Sequence, residues 1–485
     1  MYFNSFHFFA FFLIVSVAYF LLPQNRRWIL LLISSYYFYM SWKAEYIILI
    51  LISTAIDYYA GLKMSSQKSK AKKKIYLYLS LFSNLGLLFA FKYLNFFSDS
   101  LREILRMVSI DFSMPYLNVL LPVGISFYTF QTLSYTIDIY NGKIKPEKHF
   151  GKFAVYVAFF PQLVAGPIER AKNLLPQFSV EHRFDYVRIT DGLKLMLWGL
   201  FKKIVIADRL SLIVNPIYNN PDSFMGAHLM LATFFFAMQI YCDFSGYSDI
   251  AIGSAQVLGI RLMDNFKRPY FASSVSDFWK RWHISLSSWF KDYLYIPLGG
   301  NRVKVPRWYF NLAVVFIVSG LWHGAKWTFV AWGALHGTYL ILAIITDRSR
   351  KELAKMSGII NYPHIHRVWQ AAQTFVLVCI AWVFFRANSI SDAFHIIRRS
   401  ITTLSFRFAD FVGPLGGIVS KNDLITAFGL IAFLVMIHYM QEHMRMRKFL
   451  SDKPIWIRWP IYLAIALGII FLGVNPGAQF LYFQF

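Results

Sequence analysis

The sequence predicts an all-α integral membrane protein, and three observations lead to this fold class. The chain has 485 residues, of which 57% are hydrophobic and only 15% are charged, whereas a soluble domain has about 25% charged residues. Its apolar stretches are continuous runs, unlike the alternating pattern of transmembrane β-barrel strands. Its basic residues lie in short polar stretches between those runs, as in the loops of membrane proteins.

Each apolar run predicts a helix, because a membrane crossing needs roughly 20 residues. The runs lie at residues 8–22, 28–42, 46–62, 75–97, 116–140, 152–168, 190–215, 228–256, 309–345, 369–385, 424–440 and 460–474. The run 309–345 is long enough for two helices or one broken helix, so we expect about eleven or twelve helical segments. No basic stretch precedes the first run and no cleavage signature follows it, so we expect a retained span.

The runs follow one another without a separate soluble region, so we predict one polytopic domain over residues 1–485. Residues 1–150 would form peripheral helices and residues 151–400 a core. Residues 401–485 would contain C-terminal helices and the tail FLYFQF.

The positions of the basic residues predict the orientation of the chain. The net charge is +24, which in a soluble protein would suggest nucleic-acid binding, but these charges mark loops between membrane spans. The cluster from Lys63 to Lys74 predicts a cytoplasmic loop and an extracytoplasmic N-terminus. The basic stretch from Arg445 to Arg458 likewise predicts an extracytoplasmic C-terminus.

A long segment between Arg261 and Arg307 is neither a span nor a simple loop. It contains FWKRWHISLSSWFKDYLYIPLGGNR, in which aromatic and aliphatic residues alternate with Lys and Arg. This pattern is typical of a helix that lies in the membrane interface or dips partly into the membrane. Its excess of basic residues predicts a cytoplasmic position, where it can meet a polyanionic ligand.

Two histidines are the leading candidates for catalysis. His323 lies beside Trp322 in an apolar run, where an ionisable group is costly and therefore a functional candidate. It can act as a general base, or it can be a buried histidine that hydrogen-bonds a neighbouring helix. His283 can line the entrance for a cytoplasmic substrate, or it can be a surface histidine of the interfacial helix. We interpret His336 as structural.

A polar stripe is predicted on the helix that contains QIYCDFSGYSDIAIG. Gln239, Asp243 and the region of Asp249 share one helix face. A water-filled pathway or a polar network between packed helices would both explain these residues.

Other chemistries are disfavoured by missing motifs. The sequence contains no G-x-S-x-G elbow, no Walker loop, no G-x-G-x-x-G and no C-x-x-C. His364 and His366 lie close together without a third ligand nearby in sequence, so we expect no metal site.

Four long motifs, in order and spacing, resemble the membrane-bound O-acyltransferase (MBOAT) family. They are QIYCDFSGYSDIAIG, FWKRWHISLSSWFKDYLYIPLGGNR, GLWHGAKWTFVAWGALHG and AWVFFRANSISDAF. The likeness covers nearly the whole chain and is greatest to the bacterial branch with the membrane subunit of alginate O-acetyltransferase, of which the D-alanyl-teichoic-acid transferase is a cousin. It implies many helices around a central tunnel that narrows at an invariant histidine. His323 matches that histidine, His283 matches the second histidine of the branch, and Asp243 matches an acidic polar stripe.

The resemblance also implies an activity. A membrane O-acyltransferase of the bacterial inner membrane would take an acetyl group from cytoplasmic acetyl-CoA, a substrate, without a bound cofactor. The phosphates of acetyl-CoA would meet Lys280, Arg281, Lys291 and Arg302, and His323 would be the general base. The acetyl group would pass to an extracytoplasmic serine-type, SGNH-like acetyltransferase. The final acceptor would be an alginate-like exopolysaccharide, cellulose or peptidoglycan.

The tail FLYFQF resembles the F-x-Y-F-x-F pattern that ends a small partner peptide in the D-alanylation system. The tyrosine of that peptide receives the acyl group, so the resemblance implies that Tyr482 is an acyl carrier. The alternative is an aromatic anchor at the membrane interface.

Two other functions remain open. A transporter or flippase would use the polar stripe as its pathway, although we find no inverted repeat. A non-catalytic scaffold would recruit the secreted acetyltransferase without turning over acetyl-CoA.

Overall fold

The computed structural model describes residues 1–113, 116–405, 420–474 and 480–481. Within these ranges the chain is helical and has no strand, so the predicted all-α class is confirmed. The helices, in chain order, are α1 (Phe6–Leu21), α2 (Gln24–Met40), α3 (Ile47–Ser66), α4 (Lys70–Leu88), α5 (Leu94–Met107), α6 (Ile125–Tyr140), α7 (Phe150–Ala158), α8 (Phe160–Leu163), α9 (Ala171–Leu174), α10 (Tyr186–Leu200), α11 (Asp208–Asn219), α12 (Gly226–Val257), α13 (Val275–Arg281), α14 (Ile284–Phe290), α15 (Val305–His323), α16 (Trp327–Ile345), α17 (Asp347–Met356), α18 (Pro363–Arg386), α19 (Ile390–Thr402), α20 (Lys421–His443), α21 (Met446–Ser451) and α22 (Ile455–Leu472).

Eight helical stretches in the described part of the chain are long and apolar enough to cross a membrane. They are Ala44–Ser66, Lys70–Met107, Gly226–Val257, Val305–His323, Trp327–Ile345, Pro363–Arg386, Lys421–His443 and Ile455–Leu472. The helix α1 is apolar but shorter. This pattern is that of a multi-pass membrane protein.

Every predicted apolar run contains helix, but several runs are interrupted. In the run 116–140 the helix begins only at Ile125, because Gly124 has a φ of +77°, which favours glycine. The run 152–168 is broken into the short helices α7 and α8, and the run 309–345 forms two helices, α15 and α16. A π-helical stretch, Phe201–Ala207, lies between α10 and α11.

The interfacial segment between Arg261 and Arg307 is not the single helix that we predicted. It forms α13 and α14, followed by a π-helical turn at Lys291–Tyr295. The break between α13 and α14 is at His283, whose φ of +44° lies in the left-handed region. A helix cannot continue through such a residue.

The described residues divide into two compact units, which are residues 1–196 with 248–263, and residues 197–247 with 264–485. The first unit contains α3, α4 and α6, which pack around the buried Asp57. Its carboxylate accepts hydrogen bonds from the Ser80 hydroxyl (2.5 Å) and the Asn84 amide (2.9 Å). The division of a single domain into peripheral, core and C-terminal parts stays a prediction.

In the second unit, α15 and α16 approach closely at two glycines. A Cβ atom at Gly320 would clash with the carbonyl oxygen of Phe329, and one at Gly333 would clash with that of Phe316. Each glycine precedes a histidine by three residues, so His323 and His336 lie about one helical turn from this contact. The close approach therefore sets where both histidines lie.

Candidate active site

A short antiparallel pairing of the backbone fixes the position of His283. The Lys267 N–H donates to the Arg281 carbonyl, and the Ile284 N–H donates to the Asn265 carbonyl, both at 2.9 Å. His283 has the left-handed φ given above and is fully buried. This conformation is strained for a residue with a Cβ atom, and such strain is frequent at functional sites. The surface-histidine alternative for His283 is therefore wrong.

The side chain of Asn265 determines the tautomer of His283. The Asn265 Oδ1 atom accepts hydrogen bonds from the backbone N–H (3.3 Å) and the hydroxyl (2.9 Å) of Ser285, so this atom is the amide oxygen. The Nδ1 atom of His283 lies 3.1 Å from the same oxygen and must donate a hydrogen to it. Burial lowers the pKa of His283 to about 3, so near neutral pH the ring is uncharged and its Nε2 atom carries a lone pair.

His323 lies at the end of α15, and its ring is 6.2 Å from that of His283 between ring centres. It is 3% exposed. Trp322 contacts both histidines, with ring centres 5.1 Å from His323 and 5.8 Å from His283. The structure thus brings together three residues that the sequence had singled out, across 40 positions of the chain.

A cavity of about 1040 Å³ lies beside this cluster and is lined by residues of α13 to α18. Exposed cations, Lys280, Lys291 and Arg350, line part of it, and buried Trp279 and Phe316 line another part. Six serines contribute hydroxyl groups to the lining: Ser273, Ser274, Ser276, Ser287, Ser288 and Ser319. Asp347 also lines the cavity, and its carboxylate lies 3.8 Å from the Arg350 guanidinium. The lining thus combines three cations and one carboxylate with hydroxyl groups and apolar rings.

The cavity extends toward His323 along α15. Ser319 lines the cavity and precedes His323 by four residues, so both side chains lie on the same helix face, one turn apart. A long ligand with an anionic end and a reactive end could therefore place its reactive end near the histidines.

The four predicted cationic residues separate into two groups. Lys280 and Lys291 line the cavity, whereas Arg281 forms ion pairs with Asp277 (3.0 Å) and Glu442 (3.1 Å). Arg302 is not among the lining residues of the described cavity. Arg350 was missed, because in sequence it belongs to an ordinary polar stretch after a span.

The predicted polar stripe is also divided. Asp243 is buried and forms an ion pair with Lys203 (2.6 Å), which pairs with Asp208 (2.8 Å). Gln239 is buried in the same unit, whereas Asp249 is half-buried and belongs to the first unit. Sequence reasoning missed Lys203 and Asp208, since their charges gave no sign that they lie opposite Asp243.

The second oxygen of Asp243 accepts a hydrogen bond from the backbone N–H of Leu481 (2.9 Å). The Phe480 ring packs against Tyr247 (4.8 Å between ring centres) and Phe244 (5.5 Å). The Phe244 ring in turn lies 4.7 Å from that of His283. The start of the C-terminal tail is therefore held beside the histidine cluster. Tyr482 itself lies outside the described residues.

Among the residues that the structure describes, no group of three or more His, Cys, Asp or Glu could hold a metal ion.

Comparison with known proteins gives consistent matches. The family model described as MBOAT, membrane-bound O-acyltransferase family, matches residues 28–387. The chain is 35% identical to "Probable alginate O-acetylase AlgI" of Pseudomonas putida, over 96% of each protein. It is 32% identical to "Peptidoglycan O-acetyltransferase" of Helicobacter pylori, over 92% of this chain and 89% of the relative. It is 30% identical to "Teichoic acid D-alanyltransferase" of Streptococcus thermophilus, over 48% of this chain and 59% of that protein.

Proposed function

The chain belongs to the membrane-bound O-acyltransferase family, and from this membership we propose that it takes an acetyl group from cytoplasmic acetyl-CoA and passes it across the membrane. The family and the named relatives make the chain an O-acyltransferase. The acetyl donor, the relay and the partner are our proposals. The observation that carries them is the cationic cavity beside the pair of buried histidines.

Acetyl-CoA binds in the cavity lined by α13 to α18. Its phosphates are attracted to Lys280, Lys291 and Arg350, because positive charge around a cleft concentrates anionic ligands there. Its pantetheine arm lies along the serine hydroxyls and the apolar wall. The thioester then reaches the end of the cavity near Ser319, one turn from His323.

His323 acts as the general base at the thioester. It takes the proton from an acceptor hydroxyl as the hydroxyl oxygen forms a bond to the carbonyl carbon. The carbon–sulfur bond then breaks, and the CoA thiolate receives the proton that His323 holds. His283, whose tautomer Asn265 fixes, has an unprotonated Nε2 atom in the same cluster. It orients the acceptor hydroxyl toward His323.

Tyr482 is the acceptor of the acetyl group. The hydrogen bond of Leu481 to Asp243 and the packing of Phe480 on Phe244 support this role, because they hold the preceding residues against the ring that contacts His283. An aromatic anchor at the membrane surface would not need these buried contacts.

The acetyl group passes from Tyr482 to an extracytoplasmic acetyltransferase of the serine, SGNH-like type. That partner places it on a polysaccharide: an alginate-like exopolysaccharide, cellulose or peptidoglycan. The protein lies in the bacterial inner membrane with both termini extracytoplasmic. The relatives named as alginate and peptidoglycan O-acetylases and the distribution of basic residues support this arrangement.

The first test measures CoA release from acetyl-CoA and the mass of the C-terminal peptide, with purified protein in detergent. We expect His323→Ala to abolish CoA release, and Tyr482→Phe to abolish the acetyl adduct. The exposed residues His364 and Tyr439 provide the controls His364→Ala and Tyr439→Phe, which should behave like the unsubstituted protein.

Each alternative function predicts a different outcome, in this assay or in cells. Altered polymer export without acetyl-CoA turnover would favour a transporter or flippase. Normal surface acetylation by the His323→Ala variant in cells would favour a scaffold. CoA release without an adduct would keep His323 as the catalyst and remove Tyr482 as the carrier.

A further inference from the structure

His336 is a further buried histidine of the second unit, and its tautomer is also fixed by a neighbour. It lies on α16 and is fully buried. The indole Nε1–H of Trp279 lies 3.3 Å from its Nδ1 atom. An indole nitrogen can only donate a hydrogen bond, so the Nδ1 atom must be the acceptor. A neutral His336 then carries its hydrogen on Nε2, the opposite tautomer to that of His283.

The N–H group of His336 and that of Trp332 are buried donors that lack an acceptor. Neither His336 Nε2 nor Trp332 Nε1 has a hydrogen-bond partner in residues 1–113, 116–405, 420–474 and 480–481, and both side chains are fully buried. More than 90% of buried polar groups in proteins are paired, and an unpaired one costs about 1–3 kcal/mol. Each of these donors is therefore available to an acceptor atom that a ligand supplies.

The two donors lie between the cavity and His323. The Trp332 ring is 5.0 Å from the His323 ring and 5.0 Å from the His336 ring. Trp279, which lines the cavity, contacts the other side of His336, with 5.0 Å between ring centres. The rings of His336 and Trp332 thus connect Trp279, at the cavity, to His323.

We propose that the N–H groups of His336 and Trp332 bind the carbonyl oxygen of the thioester and stabilise its negative charge during acyl transfer. This inference rests on the proposed function. As the acceptor oxygen bonds to the carbonyl carbon, the π electrons of the carbonyl move to its oxygen, which accepts both hydrogen bonds. His336 keeps its proton throughout, while the acceptor proton goes to His323 and CoA leaves as the thiolate.

A neutral histidine suits this role because its N–H donates without adding a second base beside the thioester. Trp279 prevents the other tautomer, since its own N–H occupies the Nδ1 atom. Donors of this kind, fixed before the reaction, favour the transition state over the substrate, because the charge on the oxygen develops only there.

The test uses the full-length protein and compares His336→Phe, His336→Gln and Trp332→Phe in the CoA-release assay. Removing one such donor lowers kcat by about 100-fold to 1000-fold in other enzymes. We expect a loss of this size for His336→Phe, a small change in the KM for acetyl-CoA, and partial recovery with His336→Gln, which retains an N–H donor. His228→Phe is the matched control. This histidine of the same unit is also fully buried, and its Nδ1 atom accepts the Met225 N–H (3.2 Å).

Binding of two CoA analogues separates the donor role from a structural one. Acetonyl-CoA retains a carbonyl group, and S-propyl-CoA replaces it with a methylene group. His336→Phe should weaken the binding of acetonyl-CoA by tenfold or more and leave S-propyl-CoA unaffected. Equal weakening of both analogues, or a kcat within twofold of that of His228→Phe, would overturn the inference.

Failure of the inference is distinguishable from failure of the proposed function. If His323→Ala retains CoA release, or if the unsubstituted protein releases none with its partner present, the proposed function is wrong. If CoA release depends on His323 but is indifferent to His336, only the donor role is wrong.

Discussion

The docking of the C-terminal tail gives the sharpest prediction, because one ring can be removed without touching the ion pairs. Phe480 is 2% exposed and packs against Tyr247 and Phe244. Removing a buried phenylalanine side chain costs about 3–5 kcal/mol. The hydrogen bond from Leu481 to the carboxylate of Asp243 contributes about 1.5–3 kcal/mol, so it cannot compensate for the lost ring.

The substitution Phe480→Ala should therefore shift the tail from docked to undocked by about 100-fold to several thousand-fold, at 1.4 kcal/mol for each factor of ten. The effect should be confined to the tail, since Lys203 keeps both of its carboxylate partners. Hydrogen–deuterium exchange of the Leu481 amide measures docking, because this N–H is protected only while it donates to Asp243. The rate of acetyl-adduct formation on the C-terminal peptide measures its consequence.

The control is Phe471→Ala, on α22 of the same unit, where the ring is 77% exposed. It should change neither the exchange nor the adduct. Unchanged exchange at Leu481 in Phe480→Ala would refute the idea that the ring holds the tail. Faster exchange with an unchanged adduct rate would show that docking is irrelevant to acyl transfer.

Three further predictions concern the cavity proposed for acetyl-CoA, the buried ion pairs and the pH dependence of stability. Arg350→Glu should raise the KM for acetyl-CoA by about tenfold or more at low ionic strength and by less at high salt. The control Arg348→Glu, on the same helix with a side chain that is 92% exposed, should change the KM little. Equal effects of both substitutions would contradict a direct contact between Arg350 and acetyl-CoA. Lys203→Met should destabilise the protein by about 3–5 kcal/mol, because it leaves Asp208 and Asp243 buried without their cation. Each kcal/mol of lost stability lowers the melting temperature by a few degrees. A melting temperature within about 1–2 °C of that of the unsubstituted protein would therefore contradict this prediction. The pKa of His283 is about 3 in the folded protein against an ordinary value of 6.5, so the unfolded chain binds the proton more readily. The stability of the fold should therefore decrease as the pH is lowered from 6.5 toward 3. The same pH dependence in a His283→Gln variant would show that another group is responsible.

The sequence by itself determined the membrane class and the family. Continuous apolar runs are a local property, and all of them contain helix in the structure. His323 became a candidate for catalysis because an ionisable residue inside such a run is costly. The resemblance through four motifs then agreed with the family match over residues 28–387.

Only the tertiary structure decided which residues meet. The left-handed backbone at His283 turned a predicted interfacial helix into two short helices and buried the histidine 6.2 Å from His323. Local periodicity contains no information on this break, because it depends on the pairing of residues 265–267 with 281–284. The tautomers of His283 and His336 likewise depend on Asn265 and Trp279, which neither lie next to them in sequence nor carry a charge.

The same limit explains Lys203 and Arg350. Lys203 lies in the middle of the apolar run 190–215, where the sequence shows no partner for it, yet it is 5% exposed and joins two buried carboxylates. Arg350 belongs to a polar helix with no distinguishing pattern, yet it lines the cavity. Composition and periodicity specify which segments leave water, whereas the partner of a charged group is set by packing between segments distant in sequence.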